Sequence, residues 1–590
     1  MNRARRSAII IMSVIALAAL SIPVLYYLEM RFSYHLAEVY MQDHAIPEDI
    51  SFSSGRATDI RLNPTSDSIF YIACMPSEVS AHRSLRLSFS HFRTLEIDGK
   101  TFRSGDEIYE YASSIKDEPV TMRLFAPRGE LLYDGYVQFM FATSVPTMYL
   151  TTSENAIDIV DETAYEAAEK PRVGSTMMIT APDGSIDVVT DADIYRHGNT
   201  SFDYFDQKPY NLGLQNKMSL LGMTPGRKWV LKSNGQYTTV LMKNRAAFEI
   251  ARQMGMDSAP ESRYINLYIN GRYMGLYLLC QNIQAPEFLG SGRVGALIER
   301  DVKYEMRPQS FVAEGMGMTI HYPEGMTSGE ISGTEAAFTR ALEAVSSGSD
   351  PAQYLDMQSF LQMYMLQDYL VQTDIDGDSL YFYIGSDGLI HAGPVWDFDC
   401  SAGHITSGPY HDDLTIRSRY FNDFGALFFK ALEHSESFRS EASKYYTESF
   451  SPLVRRYLSD GFAPEAAELE SSLKMSLLAC DMYPVDKETD DSPEELQRWL
   501  GSRGHFLDIY YNDEDSYDLV KFVFTWGSMT AAVKHGSAVG PLPDDAHPGN
   551  NEDIWGKVEC FVDENGNEAS DDTVIEGDTS LYAVYAEREE

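Results

Sequence analysis

Two groups of acids stand where the chain could do chemistry. Asp374, Asp376 and Asp378 lie in DIDGDS, directly after an apolar stripe of helical spacing. Asp397 and Asp399 lie in PVWDFDCSAGH, directly after a strand-like apolar run. Asp374 and Asp397 are 23 residues apart, and the intervening LYFYIGSDGLIHAG reads as strand, Asp-Gly turn and strand. A hairpin returns the chain near its start, so the pattern predicts both groups in one cleft. A hard cation such as Mg²⁺ takes one or two carboxylates and leaves its other positions to phosphate and water. Phosphoryl transfer also needs an acid that orients the attacking hydroxyl or accepts its proton, and the order of acids here matches that of protein kinases. An acid-rich turn accounts equally well for Asp376 and Asp378. An EF-hand is excluded, because the twelfth position counted from Asp374 is Gly385 where a Glu is required. Asp397 reads as the metal ligand, and Asp399 as a second ligand or a cap on the following turn.

The elements that must position these acids are legible around them. PAQYLDMQSFLQMYMLQDYLVQT carries a helical apolar stripe into the first acidic group. Upstream, SRYINLYINGRYMGLYLLCQNI reads as a hairpin turned by Asn270-Gly271. STMMITAPDGSIDVV reads as strands joined at Asp183-Gly184, and TTVLMKNRAAFEIARQMGM as a helix stopped at Gly255. These place an α+β domain over residues 145–515, helical from about 405 to 511, where Ser492-Pro493-Glu494-Glu495 marks a helix start. Short alternating strands over residues 50–143 predict a small β-sandwich. Residues 517–590 return to β alternation with an Asn565-Gly566 turn.

At 590 residues the chain is long enough for two to four domains. Its net charge of -41 argues against nucleic acid as a partner. Five isolated cysteines offer neither a disulfide framework nor a structural zinc site. Residues 8–27 form a 20-residue uncharged apolar run behind Arg3, Arg5 and Arg6. The run is long enough to span a bilayer, and the cationic flank predicts an anchor over residues 1–28. A stalk over 29–49 follows, with the bulk of the chain outside the cytoplasm. The other reading of this run is a cleaved signal peptide.

Several separated segments carry a resemblance. They are HGNTSFDYFDQKPYNLGL, RKWVLKSNGQYTTVLMKNRAAFEIA, INLYINGRYMGLYLLCQNI, ALIERD, the stretch from Gln367 to Tyr383, and PVWDFD. From about Val145 to about Asp508 the chain resembles the spore coat protein H (CotH) kinase family, an atypical, secreted-type, protein kinase-like group. Gly198, Asn199, Ser201, Lys208, Trp229, Leu231, Asn244, Glu299, Asp301, Asp374 and Asp397 fall on its motifs. Asp368 stands for its usual Glu, while His197, Gln236, Lys243 and Gln281 depart from the residues usual there. The resemblance implies an ATP-dependent kinase acting on Ser or Thr of a protein, with Mg²⁺ or Mn²⁺. In it Asp374 is the catalytic base or hydroxyl-orienting acid and Asp397 binds the metal. Lys208 contacts phosphate, and the strand from Tyr277 to Gln281 borders the adenine. His197 is read as a hydrogen-bonded structural residue, and Trp229 and Trp396 as core.

Residues 561–586, FVDENGNEASDDTVIEGDTSLYAVYA, resemble the Listeria-Bacteroides type surface repeat, a small β-grasp-like module, which implies a cell-wall or surface partner. A second reading from another class is a surface adhesion or scaffold protein whose kinase-like domain lacks activity. A secreted calcium-binding domain rests on the acidic loops alone.

Overall fold

The computed structural model describes residues 49–585 except 68, 91–93, 127–128, 154, 164–169, 199, 236–237, 285–286, 291–293, 373–378, 404–426, 481–490, 525–526 and 544–557. The apolar run at 8–27 and the acids Asp374, Asp376 and Asp378 therefore lie outside the described residues, as do Asn199 and Gln236. Among the described residues no helix is long and apolar enough to cross a membrane.

The first part of the chain buries its alternating apolar residues between two sheets. One sheet has three strands and the other six, and Phe52 of the first meets Phe139 of the second edge-on at 5.9 Å. Alternation predicted the strands, but the six-stranded sheet also contains a parallel pair, Phe70–Met75 beside Leu131–Phe141. The short helix Ser77–His82 follows the first of these strands, and such crossovers leave little trace in period-two patterning.

The next seven strands close a barrel, an arrangement that local patterning does not reveal. Its order is Thr147–Thr151, Val173–Thr180, Ile186–Arg196, Tyr210–Met218, Gly226–Lys232, Arg272–Gln281 and Ser262–Ile269, the last running parallel to the first. The hairpin turn predicted at Asn270-Gly271 is present, with φ of 48° and 80°. Only glycine fits its second position, since a Cβ on Gly271 would stand 1.8 Å from the Asp59 carbonyl oxygen of the first domain.

Strand alternation splits the barrel's side chains between two cores. Trp229, Leu231, Tyr277 and Leu279 fill the interior. Val230, Leu278 and Cys280 face outward into the main core with Phe248 and Ile250 of the Val240–Gln253 helix.

A five-stranded sheet and a helical layer complete that core. The sheet includes Val294–Arg300 and the hairpin Leu380–Gly385 with Ile390–Ala392, as the sequence predicts for the approach to Asp397. The Met357–Leu370 helix is buried on all sides from Ser359 onward and starts at an Asp356 cap. From Glu436 to Ala479 the chain is helical through two π turns, Tyr446–Phe450 and Tyr457–Phe462, followed closely by Pro452 and Pro464. The Pro493–Asn512 helix begins as predicted, the Ser492 hydroxyl accepting the Glu495 N–H at 3.1 Å. A separate five-stranded sheet follows, with Tyr517–Phe524 parallel to Thr579–Tyr585. None of the five cysteines is in a disulfide.

One buried ion pair fixes the two long helices of this layer. Arg503 and Asp368 have side chains 0% and 1% exposed, and the guanidinium donates to the Asp368 carbonyl at 2.7 Å and approaches its carboxylate at 3.4 Å. The Tyr511 hydroxyl donates to the other carboxylate oxygen at 2.7 Å. Removing one partner strands the other charge, which typically costs about 3–5 kcal/mol, whereas removing both is far cheaper. Arg503→Met is therefore expected to lose about 3–5 kcal/mol in urea unfolding, and adding Asp368→Leu should recover most of it. A single variant as stable as the parent would show that the pair does not hold these helices.

Candidate active site

The carboxylates of Asp397 and Asp399 meet one buried ammonium. Lys232 Nζ donates to Asp397 Oδ1 at 2.7 Å and to Asp399 Oδ1 at 3.2 Å, with its side chain only 6% exposed. It also lies 4.8 Å from the centre of the Trp396 ring. Lys232 arrives here as the last residue of a barrel strand, on the outward face shared with Val230. Nothing in its local sequence marked it, because an outward residue at a strand end reads as surface until the adjoining helix covers it.

That helix supplies Asn244. Its amide nitrogen donates to Asp399 Oδ1 and to the Val240 carbonyl, and its oxygen accepts the Phe398 N–H at 3.2 Å. Both ends of this buried amide are thus committed to the Asp-Phe-Asp segment. The motif resemblance pointed to Asn244, but its role comes from the fold.

The hairpin exit supplies the acids themselves. Gly393 lies at φ 123°, and a Cβ there would stand 2.5 Å from Ser258 Oγ, so the backbone passes close to the helix-to-strand connection. The Val395 N–H then donates to the Ser258 carbonyl at 3.1 Å. Asp397 is left-handed at φ 61°, as are Val371, Ser379 and Ala402 around it. Such conformations cost energy for residues with a Cβ and persist where surrounding contacts dictate them, often at functional sites.

Residues on both sides of the undescribed 373–378 stretch return to Asp397. Gln372 Nε2 donates to the Asp397 carbonyl, and Ser379 Oγ donates to Asp397 Oδ2 at 3.0 Å. The chain that carries Asp374 therefore leaves and re-enters the described structure at Asp397.

Charge is unevenly shared in this cluster. Burial opposes ionisation of Asp397, but Lys232 outweighs it and holds the carboxyl below its usual range. Burial, with the adjoining Asp397 charge, pushes Asp399 upward. The Lys232 ammonium is also buried, and the two acids more than offset that cost, so its pKa is raised. The two acid side chains remain 29% and 35% exposed, leaving one side of the pair open to solvent. An all-oxygen donor set with an open side fits a hard cation that keeps water or phosphate in its shell.

The other residues singled out by sequence have different positions. Lys208 Nζ donates to the Phe202 carbonyl at 2.7 Å, so among the lysines it is Lys232 that meets the acids. Tyr277 is fully buried inside the barrel, stacked on Tyr210, and donates to the Lys208 carbonyl at 2.8 Å. Its side chain is core, because it alternates with the outward residues of its strand. Gln281 Oε1 accepts the Glu261 N–H at 2.9 Å. Glu299 pairs with His321 at 2.5 Å, and Asp301 binds Arg307 and Thr319. Trp229 fills the barrel, and Trp396 stacks on Phe248 at 5.9 Å.

His197 sits edge-on to Trp396 at 6.1 Å, and burial together with the Lys232 charge holds its pKa at about 3. A fixed cation at this position would lie close to that ammonium. The neighbouring Arg196 instead forms a two-pronged pair with Asp203 at 2.6 and 2.8 Å.

A neutral folded imidazole makes stability depend on pH. The unfolded chain protonates His197 near 6.5 and the folded chain only near 3, so between those values the unfolded state carries more protons. Stability is then lost as the pH falls through that window. In chelator, between pH 7 and pH 5, the parent should lose about 2 kcal/mol more than His197→Gln. Equal losses in urea titrations would show that His197 is not held neutral in the folded chain.

With this geometry in hand, the chain can be compared with known proteins. No curated protein matches the chain. The family model described as CotH kinase protein matches residues 194–507, a span containing Lys232, Asn244, Asp397 and Asp399. That span is more than half of the 590 residues, and the chain belongs to the CotH kinase family.

Proposed function

We propose that this chain is a protein kinase transferring the γ-phosphoryl group of ATP to a Ser or Thr hydroxyl of a protein substrate. The observation that carries the reading is the buried Lys232 ammonium held between Asp397 and Asp399, open to solvent on one side. In the transfer, the substrate hydroxyl oxygen bonds to the γ-phosphorus and the bond to the β–γ bridging oxygen breaks. ADP leaves with that electron pair. The hydroxyl proton passes to an acid, and Asp374 is assigned that role because the chain on either side of it converges on Asp397.

Asp397, with Asp399, would hold Mg²⁺ or Mn²⁺, which neutralises charge on the phosphates. Lys232 keeps Asp397 ionised and orients both carboxylates, while Asn244 fixes Asp399 against the Phe398 backbone. Lys208, Tyr277 and Gln281 bond elsewhere among the described residues, to the Phe202 carbonyl, the Lys208 carbonyl and the Glu261 N–H. If Lys208 reaches a phosphate, it must first give up the Phe202 carbonyl.

The cationic flank and uncharged run at residues 1–28 support a membrane tether with the bulk of the chain outside the cytoplasm. In that setting the sheet of residues 517–585 is the natural candidate for a surface partner. A scaffold role without activity is the second reading, favoured by His197, where the family usually has Arg, being held neutral.

Full-length chain in detergent, with γ-labelled ATP and Mg²⁺ or Mn²⁺, is expected to label itself or an added protein on Ser or Thr. Asp397→Asn and Asp374→Asn should each lower the rate by about 10²-fold or more. Lys232→Met should lower it too and raise the metal concentration needed. Labelling that survives both Asp substitutions together removes the kinase assignment. Calorimetry that shows no metal-dependent ATP heat favours the scaffold.

A further inference from the structure

A cavity of about 280 Å³ opens within the helical layer. The Pro493–Asn512 helix lines it with Leu500, Gly501 and Gly504, and the Met357–Leu370 helix with Tyr369. The two π turns, Tyr446–Phe450 and Tyr457–Phe462, add Phe450 and Leu458. None of the lining belongs to the Lys232–Asp397–Asp399 cluster. Departures from a regular helix thus converge here, and π turns recur where helices carry function. Glycine is a poor helix former, yet two stand three residues apart on the lining face. A Cβ on Gly501 would meet nothing within 4 Å, and one on Gly504 only the Tyr369 ring at 3.8 Å. Ordinary helix-forming side chains at these positions would narrow the cavity, and the sequence leaves it open.

The polar side of the cavity has a definite sign. Asp508 is the one acid in its lining among the described residues, and both its oxygens are committed. Its Oδ1 accepts the Tyr446 hydroxyl at 3.1 Å and the Ser451 hydroxyl at 2.6 Å, and its Oδ2 accepts one Nη of Arg455. The Arg455 side chain is 69% exposed and spends only that one nitrogen on the acid. His505, also in the lining, is exposed. The groups still open to a ligand are therefore N–H donors with a guanidinium among them, set against an apolar wall. That pairing complements an apolar body bearing an anionic head, and a guanidinium matches the two oxygens of a carboxylate. A cavity of about 150 Å³ holds benzene, so the larger space here suits a body of about two rings.

We propose that this cavity binds a small carboxylate with an apolar body, the carboxylate meeting Arg455 and the body lying against Tyr369, Phe450 and Leu500. The site stands apart from the kinase reading and does not depend on it. Tyr369 directly follows Asp368, which Arg503 and Tyr511 hold, and its helix runs on to Gln372 and the Asp397 carbonyl. An occupant would therefore press on the helix that carries the chain toward the acids.

The test is calorimetry of the full-length chain with 2-naphthoate, against a detergent blank, and with 2-naphthalenemethanol as the neutral counterpart. The parent is expected to bind one equivalent of naphthoate with a Kd of about 1 mM or tighter, and the alcohol severalfold more weakly. Gly501→Leu enters open space and improves the helix, so the variant should fold and bind naphthoate at least about tenfold more weakly. Arg455→Gln, at an exposed position, should weaken naphthoate severalfold and leave the alcohol unchanged, and it decides the matter if the leucine variant does not fold. Naphthoate binding that both folded variants retain overturns the site, as does a parent that gives no saturable heat. An alcohol that binds the parent as tightly as naphthoate overturns the anionic ligand.

Discussion

An ammonium that is 6% exposed is held charged by the two carboxylates around it, and it in turn holds Asp397 below its usual range against burial, while Asp399 is still pushed upward. The Lys232–Asp397–Asp399 cluster is therefore a single electrostatic unit built from two remote parts of the chain. Its members must be placed within a few tenths of an ångström for hydrogen bonds of 2.7 and 3.2 Å to form. Much of the surrounding fold can be understood as meeting that requirement. The barrel strand ends at Lys232, the next helix carries Asn244, and the hairpin exit bends through left-handed Asp397.

The precision comes from supports that are not themselves chemical. One barrel strand uses its two faces for two purposes, packing Trp229 and Leu231 inside and presenting Val230 and Lys232 outside. The Met357–Leu370 helix, locked through Asp368 to Arg503 and Tyr511, ends one residue before left-handed Val371, and Gln372 then reaches the Asp397 carbonyl. Stability and site geometry are thus coupled. Strain in the backbone near the acids is held by burial a helix away.

An acid near the neighbouring helix start is also held by donors from a remote part of the chain. Asp397 and Asp399 answer a side-chain cation, whereas Asp491 answers the N–H and hydroxyl groups of Thr238 and Thr239.

The residues alone determined a good deal. Apolar periodicity marked the buried helix before Asp374, and Asp-Gly and Asn-Gly pairs marked the turns at Gly184, Gly271 and Gly388, because these conformations depend on near neighbours. The motifs from Gly198 to Asp397 were enough to indicate the family, which the matched span bears out. Barrel closure, the parallel pair at Phe70–Met75 and the identity of the bridging lysine were not legible. Each depends on contacts between residues tens to hundreds apart, such as the 165 residues separating Lys232 from Asp397. Lys208 and Lys232 are both lysines beside family motifs, and nothing local distinguishes them. Only the tertiary structure decides that one ammonium bonds a carbonyl and the other is buried against two acids, because burial and charge pairing belong to the packed molecule.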